Sequence, residues 1–220
     1  VERIHPAMTR AELYWYHLSW NSIPSFTARV KRYDLYLKHK NWWRYAIESL
    51  VGMLGHLKLW RQLVRLVYSL VPDDYCADLF AKYKPDLVFC PNMFSAEEFR
   101  ILRYAKKHGY ATLTTMKSWD VPTTRGFTRV IADHILVFNE INRRETISFG
   151  DYRPDNITII GFPQFDLYTH KEIYLSRGEF FKKIGADISK KLILFAVPGD
   201  FKNPYTHQIM DGLDEAITAG

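Results

Sequence analysis

The sequence predicts an α/β protein built on a mostly parallel sheet flanked by helices, and three observations carry that reading. After Pro72, apolar runs of strand length alternate with amphipathic segments of helix length, the rhythm of βαβ crossovers. The runs end in polar, proline- or glycine-bearing turns, and the richest of these is TTMKSWDVPTTRG, Thr114–Gly126. With 220 residues, 47% of them hydrophobic, the chain has the apolar material to cover such a sheet and does not have the composition of a disordered protein.

Taken in order, the first 26 residues show neither strand alternation nor a glycine-rich phosphate turn, and read as a chain entered after its first structural element. Residues 27–71 are helical in pattern: Leu57, Trp60, Leu63, Val64, Val67, Leu70 and Val71 recur at three- and four-residue steps, the mark of an apolar helix face, and Pro72 ends the run. Asp73–Lys84 reads as a short helix and Asp86–Cys90 as a buried strand. Ser95–His108 is a helix with a capped, acidic start at Ser95, Glu97 and Glu98, ended by Gly109. A strand at Tyr110–Thr115, the polar loop and a short helix near Phe127 follow. Next come a strand at His134–Phe138, a helix at Glu140–Phe149 and a strand at Asn156–Ile160.

Gly161–Arg177 carries turn residues and aromatics in place of a continued period, and reads as an interdomain hinge. Lys190–Phe201 then opens like the first strand of another α/β unit, followed by a helix at Tyr205–Ala219. One strand and one or two helices cannot close a core. The expected organisation is therefore a domain at 1–160, with a basic helical segment at 27–71, a hinge at 161–177, and an incomplete second domain beginning at 178–220.

Charge is unevenly placed. Residues Arg29–Tyr68 hold nine Lys/Arg against two acids, more than the whole net charge of +6. At ~100° per residue, Lys58, Arg61 and Arg65 cluster roughly 140° from the centre of the apolar stripe, and KHKNWWRY (Lys38–Tyr45) interleaves bases with aromatics. That pattern suits a solvated basic face, an anionic membrane surface touched by Lys58, Arg61 and Arg65, or single-stranded nucleic acid. The last ranks behind the others because no nucleic-acid motif accompanies the charge. Only Cys76 and Cys90 are present, without metal-ligand spacing, so no metal site, cofactor motif or disulfide framework is expected and the setting reads as reducing and cytoplasmic. No secretory leader pattern and no apolar run of ~20 residues is found.

Three stretches carry a resemblance: SWDVPTTRG (Ser118–Gly126), ADHILVFNE (Ala132–Glu140), and GFPQFD (Gly161–Asp166) followed by KKLILF (Lys190–Phe195). In order and spacing they resemble GT-B-fold glycosyltransferases of the bacterial surface-carbohydrate and CDP-glycerol glycerophosphotransferase-like branch, over roughly Asp73–Asp200. The resemblance implies a Rossmann-like N-terminal domain, a hinge and the opening of a donor-binding domain. It also implies a nucleotide-activated sugar or glycerol donor and a polysaccharide or lipid-linked acceptor, in envelope or capsule synthesis at the inner face of the membrane. The residues present would hold only part of the donor site and be inactive alone. The same order resembles UDP-N-acetylglucosamine 2-epimerases, but their His-x-Glu-Ala-Gly and Pro-Glu-x-x-x-Arg signatures are missing here, and only Asp120 is offered where two carboxylates are needed.

For transfer chemistry, Asp120 is the candidate base or acceptor-orienting group, Lys117 can offset phosphate charge, and Ser118, Thr123 and Thr124 can donate to phosphate or sugar oxygens. Trp119 can stack on a sugar face. The competing reading makes Asp120-Val121-Pro122 an ordinary turn with Trp119 in the core. Asn139 and Glu140 either face the cleft or cap the following helix. Gly199 and Asp200 fall where the resemblance puts the donor-phosphate wall. The other class of function is a noncatalytic module that keeps the fold and docks lipid or a partner through its basic face.

Overall fold

In the computed structural model, four parallel strands take up the runs that alternation marks as strands: β1 (Leu87–Cys90), β2 (Ala111–Thr115), β3 (His134–Val137) and β4 (Ile157–Ile159), in the order β1-β2-β3-β4. The structure describes residues 9–23, 25–37, 39–196 and 205–218. The register places Val88, Cys90, Thr112, Thr114, Ile135, Val137 and Ile157 on one face, where all are buried with Phe80, Leu102 and Met116. Burial alternates along the strands, and Leu87 and Phe89 on the other face are exposed. That exposure belongs to the edge strand; on the inner strands Leu113 and Leu136 of the same face are half-buried, and the all-parallel sheet is flanked by helices as the alternation predicts.

Ahead of the sheet come α1 (Arg10–Asn21), α2 (Phe26–Arg32) running into a π-helical turn at Tyr33–Leu37, α3 (Trp42–Leu54), α4 (Lys58–Leu70) and α5 (Ala77–Tyr83). The long helical pattern is therefore broken, and Gly55 is the sharpest break. A Cβ there would lie 1.8 Å from the Ser22 carbonyl oxygen, so only glycine lets the α3–α4 turn rest on the end of α1.

Crossing from β1 to β2, α6 (Ala96–Lys107) is capped by Ser95, whose hydroxyl accepts from the Glu98 amide at 3.1 Å; Glu97 and Glu98 lie in its first turn and Lys106 and Lys107 in its last. Those charges complement the helix dipole at both ends. Between β2 and β3 the helix is α7 (Val121–Thr124), earlier than the one expected near Phe127. The reason is tertiary: Gly126 turns at φ +102° and the Phe127 amide donates to the Ser19 carbonyl at 3.3 Å, pulling the chain onto α1. α8 (Glu140–Gly150) precedes β4 and ends at Asp151, which takes the left-handed conformation at φ +59°.

Helix α4 faces the opposite way from the amphipathic rule. Arg61, Val64 and Tyr68 are buried, whereas Leu59 is 76% and Leu70 69% exposed, with Leu63, Leu66 and Val67 exposed alongside them. The cause is Asp151. Its carboxylate accepts from Arg61 Nε at 2.8 Å, Arg61 Nη2 at 2.6 Å and Arg65 Nη1 at 2.6 Å. Arg65 also donates to the Thr128 and Gly150 carbonyls at 2.7 and 3.1 Å. Arg61 and Arg65, expected as membrane contacts, are instead interior ion-pair partners; Lys58 stays exposed.

The division of the chain into two compact units, 1–165 and 166–220, falls inside the segment read as a hinge. In the second unit, α9 (Arg177–Ile184) starts at a capping box formed by Ser176 and Glu179, and α10 (Thr206–Thr218) follows. Residues 191–196, read as a strand, form none, because no described segment of that unit supplies a neighbour to complete a ladder. Gly199 and Asp200 lie outside the described residues. Among the described residues, no helix is long and apolar enough to cross a membrane.

Candidate functional site

The chain leaves β1 and β2 at the same end of the sheet, and there the two connections wall a cavity of about 630 Å³. From the first come Asn92, Phe94 and Ser95; from the second, Lys117, Ser118, Asp120 and Val121, with Arg125 beyond them and Tyr16 of α1 across the opening. The N-terminus of α6 points into the same space through Ser95 and Ala96. Behind it, Glu98 accepts from the Asn92 amide at 2.5 Å and so ties the β1 connection to the helix.

The loop after β2 is braced from several sides. The Asp120 carbonyl accepts from the Thr123 and Thr124 hydroxyls at 3.1 and 2.9 Å, closing the short α7 turn. Ser25 donates to the Thr123 carbonyl at 2.7 Å, and the Trp20 indole to the Thr124 carbonyl at 3.1 Å. At Gly126 a Cβ would meet the Trp20 amide nitrogen at 2.8 Å, so glycine is required for the loop to lie against α1. Thr123 and Thr124 are thus not the phosphate donors expected: a hydroxyl has one hydrogen, and both are already donated to Asp120, that of Thr124 shared between the carbonyl and the carboxylate at 3.2 Å. Neither lines the cavity.

Asp120 keeps its carboxylate on the cavity wall. The Ser118 hydroxyl, and more weakly that of Thr124, hold it below the usual carboxylate range against a partial burial that works the other way. Asp120 is therefore ionised at neutral pH, between the cations of Lys117 and Arg125 on the same wall.

On the other side of this loop lies a second cavity, of about 400 Å³, at the ends of β3 and β4. Trp119 borders it at 62% exposure, which places the indole on the surface and not in the core. Asn139 also lines it while capping α8, its side chain accepting from the Asn142 amide at 2.9 Å. Asn142 in turn donates to the Trp119 carbonyl at 2.7 Å and to Glu145 at 3.2 Å. Burial raises the Glu145 carboxyl, Asn142 lowers it, and the nearby charge of Asp120 raises it further. The two carboxyls are so shifted in opposite directions, each in a different cavity. Glu140 belongs to neither cavity; it is exposed and pairs along its own helix with Arg143 and Arg144 at 3.5 and 3.6 Å.

Tyr16, Asn92, Arg125, Asn142 and Glu145 join the site without having been singled out in the sequence. Asn139, Asn142 and Glu145 recur at three-residue steps on one helical face, a signal that could have marked the last two. Nothing local could bring in Tyr16, about a hundred positions from the loop it meets. Cys76 and Cys90 are buried free thiols, pushed up by that burial to about 11 and about 12, and so are inert as nucleophiles. Among the described residues no group of three or more His, Cys, Asp or Glu could hold a metal ion. Compared with protein-family models, with curated proteins and with solved structures, the chain matches none.

Proposed function

We propose that the chain is the acceptor-side part of a transferase that moves a sugar or glycerophosphate unit from a nucleotide-activated donor to a hydroxyl of a polysaccharide or lipid-linked acceptor. Its place of action is the inner face of the cell membrane, in envelope or capsule synthesis. The observation that carries this is the cavity after β1 and β2, where an ionised Asp120 shares a wall with Lys117 and Arg125. The resemblance of the SWDVPTTRG and GFPQFD stretches to GT-B transferases supports the same chemistry.

In this reading the Asp120 carboxylate takes the acceptor hydroxyl proton. The oxygen bonds to the donor's anomeric carbon or phosphorus as the bond to the nucleotide phosphate breaks, and the nucleotide leaves with the electron pair. Lys117 and Arg125 offset the developing phosphate charge; Trp119, on the other side of the loop, offers its indole to a more distant part of a sugar chain and not to the unit transferred.

The test is nucleotide release from a panel of nucleotide sugars and CDP-glycerol, in the presence of membranes carrying polymer acceptors. Asp120→Asn is expected to lower turnover by about 10²-fold or more at an unchanged thermal midpoint. Wild-type turnover at unchanged stability would remove Asp120 from the reaction. No release from any donor would favour a noncatalytic docking module.

A further inference from the structure

At the opposite end of the sheet from the candidate site, where α6 finishes and the chain enters β3, lies a third cavity of about 530 Å³. Five cationic side chains line it: Arg65, Arg103, Lys106, Lys107 and Arg129. Among the described residues no carboxylate does. The rest of the lining is largely apolar, with Leu66 and Leu70 of α4 facing Val130 and Ile131.

The acids that neutralise these cations, three of them buried or nearly so and Asp133 exposed, are outnumbered. Glu12 accepts from Arg129 at 3.1 Å, pairs with Arg103 at 3.3 Å, and takes the Tyr68 hydroxyl at 3.0 Å. Asp73 is shared between Arg103 and Arg100, Asp133 pairs with Lys106, and Asp151 is shared between Arg65 and Arg61. Four carboxylates therefore face seven cations once Lys107 is included. Arg129 is 1% exposed and its guanidinium lies over the Phe99 and Tyr68 rings, 4.1 and 5.1 Å from their centroids, so it adds charge from behind the wall while Lys106 and Lys107 are the exposed cations.

Leu66 and Leu70 connect this cavity to the outward stripe of α4, which continues through Leu59, Leu63 and Val67. On α3 the outward side chains are also apolar, including Trp42, Trp43, Ile47, Leu50 and Met53. Across residues 39–70 the one acid is Glu48, and Arg44 lies 3.9 Å from it. The apolar face of α4, opening onto a cation-lined cavity, matches an amphiphile with an anionic head.

We propose that the α4 stripe and this cavity bind an anionic lipid of the bilayer surface, its phosphate against Lys106 and Lys107 and its chains along Leu66 and Leu70. The inference deepens the membrane part of the proposed function and does not depend on the transfer chemistry.

The test is co-sedimentation of the whole chain with phosphatidylcholine vesicles, with and without phosphatidylglycerol, alongside titration with inorganic phosphate. Binding is expected to need the anionic lipid and to weaken tenfold or more in Lys107→Glu and, independently, in Leu66→Glu, both exposed positions whose variants keep the wild-type thermal midpoint. Equal binding to neutral and anionic vesicles with Lys107→Glu unimpaired would overturn the lipid site and leave general membrane attachment standing. Absence of binding to either vesicle would overturn both. Saturation by inorganic phosphate at the vesicle affinity, unchanged in Leu66→Glu, would make this a free-anion site. Concentration-dependent dimerisation abolished by Leu66→Glu, without vesicle binding, would assign the stripe to a second copy of the chain; either result overturns the lipid assignment.

Discussion

Asp120 fills both of the roles that its sequence context leaves open. Its backbone carbonyl closes the α7 turn, and its carboxylate faces the cavity. One residue can do both because turn formation uses main-chain atoms and catalysis would use the side chain. The same division separates the hydroxyls from the rest of the loop, since those of Ser118, Thr123 and Thr124 are already donated to Asp120 while Lys117 and Trp119 remain presented. The hydrogen bond from Ser118 favours the charged form of Asp120, so the acid limb of kcat/KM against pH is expected below the ordinary aspartate value of 3.8. Ser118→Ala removes that bond and should move the limb upward. A limb that stays put in this variant would show that another group controls it. Composition made the loop legible as chemistry-bearing, but which hydroxyls were free depended on a turn geometry that letters alone do not specify.

Helix α4 shows how far periodicity reaches at the scale of an element. Its three- and four-residue apolar steps establish that a helix forms and which side of it is greasy. They do not establish which side packs. Here two arginines and one aspartate decide, because a buried bidentate ion pair with carbonyl acceptors around it holds the polar side inward. Leu63→Ser is accordingly expected to change stability by less than about 0.5 kcal/mol, as an exposed substitution does. Had the stripe packed inward, losing that leucine side chain would cost about 2–5 kcal/mol. The urea midpoint of the variant distinguishes the two. The exposed leucines are the reason that this helix enters the lipid proposal with its apolar side and not with Arg61 and Arg65.

Across the whole of the first unit, buried ion pairs join segments far apart in the chain, and Asp151 is the clearest instance. Burial opposes its charge, but Arg61 and Arg65 outweigh that and hold its carboxyl below the usual range; Asp73, set against burial by Arg100 and Arg103, behaves alike. A depressed folded value stabilises the fold above the unfolded aspartate value and is lost as pH falls through the folded one. Acid unfolding is thus expected to set in below about pH 4. Asp151→Asn keeps a residue that accepts the left-handed conformation and strands two guanidiniums, so it should cost about 3–5 kcal/mol and flatten part of that acid dependence. A thermal midpoint within a degree of wild type would refute the pairing. The sequence by itself determined the alternation of strands and helices, the parallel sheet that it implies, the cap at Ser95, and the loop that carries the candidate base. These are legible because they rest on periodicity, turn chemistry and short-range hydrogen bonds. Only the tertiary structure decided that α4 turns its leucines outward, that residues 191–196 form no strand, that Glu140 leaves the site, and that Tyr16 and Glu145 enter it. Those outcomes depend on partners distant in sequence, and a buried charge can override local preference once its counter-charge has been brought into place.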